Sequence, residues 1–172
     1  MAPTRKGLPL AVIDNTLLSR LVELELAEYL PLVFKLILVP PEVKREAYRA
    51  PHGTRRRLRN LIRESSGFFV DCSEVDQNVK EILKADLDEG EAAAIAQADK
   101  TDSILLIDEQ KGSRRAATMQ IHVVRTGKLL NMLKEAGAIR AVKPYHQKLE
   151  QLGFYLAQEL RETLLNEAGE SS

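Results

Sequence analysis

Four carboxylates in this chain stand where a side chain can do chemistry. Asp14 ends the apolar run LAVI, and Asp108 ends the run ILLI. Each follows a short continuous hydrophobic stretch of the kind that forms a strand buried on both faces. Glu46 lies one helical turn beyond Glu42 in PEVKREA, directly after a third apolar run, LILV. Glu91 follows Gly90 and opens the alanine-rich stretch EAAAIAQA, at a helix N-terminus that favours negative charge.

Singly, each acid has an ordinary structural use. Asp14 and Asp108 suit turns or caps, Glu46 a solvated helix position beside Lys44 and Arg45, and Glu91 a first helical turn. Asn15 or Thr16 is the expected cap of the helix after the first strand, which leaves Asp14 free to face the sheet edge beside Asp108. Together the four imply more. Two unit charges about 4 Å apart repel by roughly 4 kcal/mol at an effective dielectric near 20. Converging carboxylates therefore need protons or a cation among them. An all-oxygen ligand set suits Mg2+ or Mn2+, and such an ion acidifies bound water and stabilises charge on a phosphoryl oxygen. The chemistry expected of Asp14, Glu46, Glu91 and Asp108, as catalytic and metal-holding residues, is metal-assisted phosphodiester hydrolysis.

The elements that must position them read as an α/β fold. Continuous apolar runs at 8–13, 36–39, 68–70, 103–107 and 121–124 are expected strands, about five in number. Helical spacing separates them, at 16–30 (stopped by Pro31), 42–50, 54–64, 75–85, 91–99, 113–120 and 129–136. One or two further helices are expected over 147–168. That alternation predicts a parallel sheet with helices on its faces, whose ligands gather beyond the carboxyl ends of the strands. A single domain over 1–172 is expected, with a helical C-terminal extension from about 144.

A basic stretch accompanies the acids. Lys44, Arg45, Arg49, Arg55, Arg56, Arg57, Arg59 and Arg63 stand against Glu46 alone. Arg56, Arg59 and Arg63 share one helix face while Leu58, Leu61 and Ile62 supply the packing side. Arg114 and Arg115 form a second cluster. Arginines so placed can hold phosphates and position a strand without reading bases, or be solvated and paired with Asp86, Asp88 and Glu89. Arg45, Arg56, Arg59, Arg63, Arg114 and Arg115 are the candidate phosphate contacts. The aromatics do not interleave with arginine in the sequence, so base stacking is not expected.

The totals exclude several classes. Basic and acidic residues balance at 25 each, so no global field draws the chain to nucleic acid or membrane. Cys72 is the only cysteine, which rules out an internal disulfide, and His52, His122 and His146 lack zinc-ligand spacing. The N-terminus has no signal-peptide core, and LPLVFKLILVPP is too short and interrupted to span a bilayer. A soluble cytoplasmic protein is expected.

The series IDNTLL, VPPEVKREAY, LDEGEAAAIAQA, ILLIDEQKGSRRAA and IHVVRTGKLL resembles PIN-domain proteins. The likeness runs from about Ala11 to the end of the chain. It is closest to the branch with a Gly-Glu-Ala motif at the third acidic position (VapC-toxin-like). The resemblance implies a Rossmann-like three-layer sandwich and a divalent-metal ribonuclease site. Many relatives are toxins of toxin–antitoxin pairs, often homodimeric and inhibited by a small antitoxin protein. By the same resemblance Asp14 matches the first family aspartate and Thr16 a polar residue that supports it. Glu46 matches the glutamate of V-x-x-E, Glu91 the acid of Gly-Glu-Ala, and Asp108 the aspartate closing the fourth strand. Asn15 stands where relatives often have Thr or Ser, Glu91 where characterised toxins have aspartate, and Glu109 is a second acid beside Asp108.

Competing readings fit less well. A response regulator would carry a lysine directly after its fifth strand, where this chain has Arg125-Thr126-Gly127. A haloacid-type phosphatase would carry aspartate at Thr16, and no nucleotide phosphate loop is present. A reading from another class is a non-catalytic PIN-like module that binds protein or RNA. Its contact would come from Leu149, Leu152, Leu156, Leu160, Leu164 and Leu165, residues that equally suit core packing.

Overall fold

The computed structural model describes residues 7–65, 67–72 and 75–171, so the basic N-terminal residues 1–6 lie outside the described part. Five strands form one parallel sheet: β1 (Leu10–Ile13), β2 (Leu36–Val39), β3 (Phe69–Asp71), β4 (Ile104–Leu106) and β5 (Val123–Val124), in the order β3-β2-β1-β4-β5. β1 is central, pairing Ala11 with Ile37 on one side and with Ile104 on the other. The chain winds outward from β1 in one direction through β2 and β3, then in the other through β4 and β5. The switch point therefore lies between β1 and β4, where an open parallel sheet leaves a crevice at its carboxyl edge. Asp14 and Asp108 follow these two strands.

Helices flank the sheet. They are α1 (Asn15–Glu23), α2 (Pro41–Ala47), α3 (His52–Glu64), α4 (Gln77–Lys84), α5 (Glu89–Thr101), α6 (Gln110–Thr118), α7 (Thr126–Glu135), α8 (Lys143–Gln151) and α9 (Gln158–Glu167). α5 is buried at Gly90 and continuously from Ala92 through Ala98. Its alanines let it approach β1, β4, α2 and α4 closely. The core joins Val12, Ile13, Leu17, Leu21, Phe34, Ile37, Ile95, Leu105, Ile107, Leu129 and Leu133. Among the described residues no helix is long and apolar enough to cross a membrane.

One expected helix is shorter than its pattern. α1 stops at Glu23 rather than running to Pro31, Glu25 takes a left-handed φ of 59°, and Ala27–Leu32 forms a 3-10 turn containing Pro31. Leu24 and Leu26 lie on opposite faces of a continued helix. The break lets both reach the interior, with 1% exposure each. Helix starts also move. α3 begins at His52 behind Pro51 rather than at Thr54. α5 begins under the side chain of Asp88, which accepts from Glu91 N at 2.8 Å.

The C-terminal helices are fastened by polar contacts. Asn131 of α7 donates to the Leu164 carbonyl at 2.9 Å. Glu170 accepts from Lys134 Nζ and Val142 N at 2.7 Å each and from Lys143 N at 3.0 Å. It thereby caps the start of α8, which has no cap of its own.

Candidate active site

Asp14 is 3% exposed, at the turn from β1 into α1. Its own carboxylate caps α1, with Oδ1 accepting from Leu17 N at 2.9 Å. This corrects the expectation that Asn15 or Thr16 caps the helix. Thr16 is exposed, and among the described residues it makes no hydrogen bond to Asp14. Capping and facing the sheet edge are thus done by one residue, with Oδ1 used and Oδ2 left over. Burial pushes the Asp14 carboxyl up to about 8; the Leu17 N–H opposes this, Asp108 and Glu91 push further, and Arg20 pulls back.

Asp108 is 4% exposed and lies just beyond β4. The Asp14 N–H donates to the Leu106 carbonyl at 3.0 Å, which binds the two strand ends together. Its carboxylate is heavily engaged. Oδ1 accepts from Thr126 N at 2.9 Å, and Oδ2 from the Thr126 hydroxyl and from Arg20. Arg125 donates to the Asp108 carbonyl at 2.6 Å.

Glu91 and Glu46 meet across the start of α5. The Glu46 carboxylate accepts from the Gly90 N–H and fills the space that a Cβ at Gly90 would need. Gly90 thus permits the close approach of α2 to α5. Burial raises the Glu46 carboxyl, helped by Asp88 and Glu89. Burial likewise raises Glu91 to about 7, with Asp88, Glu109 and Glu46 adding to it. The Asp88 backbone N–H, at the N-cap of α5, opposes this rise. Glu42, one turn before Glu46, is instead held below its ordinary range by Lys80 Nζ at 2.9 Å, in spite of its burial.

The electrostatic neighbours run as a chain, Glu46 to Glu91 to Asp14 to Asp108. Among the described residues no three Asp, Glu, His or Cys side chains surround a common point as an ion requires. The donor chemistry nevertheless suits a hard divalent cation. Among the described residues Asp14, Glu91 and Glu46 form no ion pair, so their oxygens are open to a cation. Asp108 differs, because Arg20 already neutralises it.

The remaining candidates divide. Glu109 caps α6, accepting from Lys111 N and from Gly112 N at 3.1 Å. Arg45 is exposed, 3.7 Å from Glu42 and 3.8 Å from Glu89. Arg56, Arg59 and Arg63 line a groove of ≈930 Å³ with Tyr48, His52 and Arg55. The Arg59 guanidinium lies over the Tyr48 ring, 5.2 Å from its centre. Arginine and aromatic therefore do interleave here, across the bend at Pro51 where a sequence window shows nothing. No member of the carboxylate chain lines that groove. Arg114 and Arg115 are exposed on α6.

Sequence reasoning missed Arg20, Thr126, Arg125 and the purpose of Gly90. Only the run R-T-G after the fifth strand hinted at Arg125 and Thr126. No curated protein matches the chain. A family model described as a PIN domain matches residues 10–170, and the chain belongs to that family.

Proposed function

We propose that the protein is a divalent-metal-dependent ribonuclease that hydrolyses RNA phosphodiester bonds. The observation that carries this reading is the chain of four carboxylates from Glu46 through Glu91 and Asp14 to Asp108, two buried and two half-buried, on a chain of the PIN-domain family. Asp14, Glu91 and Glu46 would hold Mg2+ or Mn2+, with Asp108 completing the set. Such an ion supplies an acidified water and charge stabilisation at a phosphoryl oxygen. The chain's own residues do the rest. Leu17 N–H fixes the Asp14 rotamer, Gly90 admits Glu46 beside Glu91, and Thr126 orients Asp108. The groove of Arg56, Arg59 and Arg63 would bind phosphates of the substrate strand away from the cut, and Arg45, Arg114 and Arg115 add exposed positive charge. The resemblance to toxins supports a role as the toxin of a toxin–antitoxin pair, as a cytoplasmic homodimer inhibited by a small partner.

The test is RNA cleavage by chelator-stripped protein with Mg2+ or Mn2+ added back. Activity should return with the metal and fall at least about 100-fold in Asp14→Asn, the scale of a lost metal contribution of several kcal/mol. Undiminished activity in that variant would remove Asp14 from the site.

A second reading is a non-catalytic PIN-like module that binds RNA or protein. It is favoured by one observation, that Asp108 is already paired with Arg20. RNA retention on the arginine groove without metal-dependent cleavage would select it.

A further inference from the structure

Arg20 projects from α1 to Asp108, and nothing in the sequence pattern accounts for it. Its guanidinium has two partners. One is Asp108 Oδ2; the other is the face of Phe154, whose ring centre is 3.8 Å from the guanidinium carbon. We propose that Arg20 is a built-in counter-ion occupying the fourth carboxylate of the site, and that Phe154 holds it there. The segment between α8 and α9 thereby sets how tightly the site takes a divalent cation. This rests on the proposed metal-dependent reading.

The Asp108 side chain is 2% exposed, so it needs a compensating charge whenever it is ionised. A carboxylate offers about four acceptor directions. Thr126 N, the Thr126 hydroxyl and Arg20 take three of them. An ion entering beside Asp14 would face a guanidinium already seated on the adjacent acid, and like charges oppose each other across that distance. The Thr126 contacts are neutral and compatible with a cation. Arg20 is the one partner that must yield.

The hold on Arg20 is itself positioned. α8 ends with Gly153 at φ +83°, its N–H donating to the Glu150 carbonyl and the Phe154 N–H to the Leu149 carbonyl, at 2.9 Å each. That paired closure is a Schellman motif, and it turns Phe154 back toward α1. A cation over an aromatic face within about 6 Å is attracted to it, more strongly where water is excluded. The ring is not tightly packed on every side. A cavity of ≈260 Å³, lined by Asp108, Arg125, Gly127, Phe154, Leu156 and Leu160, gives it room to move off Arg20. Two arrangements follow, Arg20 on Asp108 or Arg20 released. An ion that needs the second has its affinity lowered by the fraction of molecules in the first.

The test is calorimetric titration of the full-length, chelator-stripped protein with Mn2+ alone, for wild type, Phe154→Leu, Arg20→Lys and Arg20→Gln. Leucine keeps the apolar contact and removes the π face. Phe154→Leu and Arg20→Gln should each tighten Mn2+ binding about tenfold, as expected if the released arrangement is near a tenth of wild-type molecules. Arg20→Lys keeps a charge on Asp108 and should stay closer to wild type than Arg20→Gln. Should Arg20→Gln not fold with Asp108 unpaired, Phe154→Leu decides the matter. Equal affinity in wild type and Phe154→Leu, or weaker binding in the variant, overturns the proposal while leaving the metal site intact. So does an Arg20 that acts only on substrate phosphate, because its removal would not move Mn2+ affinity. Absence of Mn2+ binding in every form overturns both the proposal and the reading beneath it.

Discussion

At the scale of single residues, the site is defined by how each carboxylate is neutralised. Glu42 has Lys80 and Asp108 has Arg20, whereas among the described residues no cation forms an ion pair with Asp14, Glu91 or Glu46. The consequence for pH follows by linkage. An acid whose native pKa is raised binds its proton more tightly when folded. Its contribution is complete below the unfolded value near 4 and is lost as pH rises through the native value. For Asp14 that window runs up to about 8, and for Glu91 up to about 7. Metal-free protein should therefore lose stability from pH 4 to pH 8, and thermal melts of Asp14→Asn should show a shallower decline over that range. Thr126→Val keeps the shape of the side chain and removes a hydroxyl from buried Asp108. It should cost about 1–3 kcal/mol in denaturant unfolding, the cost of an unmade buried hydrogen bond. Asp14 and Asp108 were legible in the sequence because each ends an apolar run. Arg20 was not, since its partner is 88 positions away and its spacing resembles that of any solvated helix residue.

At the scale of elements, two glycines set the approach of neighbouring segments. Gly90 lets α2 and α5 meet through the Glu46 carboxylate, so Gly90→Ala must push Glu46 away from Glu91. Metal affinity should drop about 10–100-fold, the range seen when a ligand's supporting contacts are lost, with helix content in circular dichroism unchanged. Gly153 closes α8 in the left-handed region, and Gly153→Ala should lower stability by about 1–2 kcal/mol. The parallel strands and most helices could be read from periodicity, since burial on both faces leaves uninterrupted apolar runs. The end of α1 could not. Its pattern continues through Leu26 and Leu30, while the backbone turns left-handed at Glu25, a residue with no turn signature. The Tyr48–Arg59 contact was hidden for a related reason, because the chain reverses at Pro51 between them.

At the scale of the whole molecule, the crevice comes from strand order, and the segment between α8 and α9 reaches its Asp108 side through Phe154. A balanced net charge hides a basic groove on α3 and an acidic edge between β1 and β4. Glu170 joins the last residues to α7 and α8. Although burial opposes it, Lys134 and the N–H groups of Val142 and Lys143 hold its carboxyl down to about 2. That contribution is present above the ordinary glutamate range and is lost as pH falls toward about 2. Glu170→Ala should accelerate hydrogen exchange in α8 and α9 at neutral pH while leaving the strands protected.

The central claim is that the buried carboxylates at the switch point keep protons only until a divalent cation replaces them. The most direct measurement is the number of protons released on Mn2+ binding at pH 7, from titration calorimetry in buffers of different ionisation enthalpy. Asp14 at about 8 and Glu91 at about 7 predict release of roughly one proton or more per ion, because ligands must ionise to bind, with a smaller number in Asp14→Asn. Binding without proton release, or release unaffected in Asp14→Asn, would contradict the account.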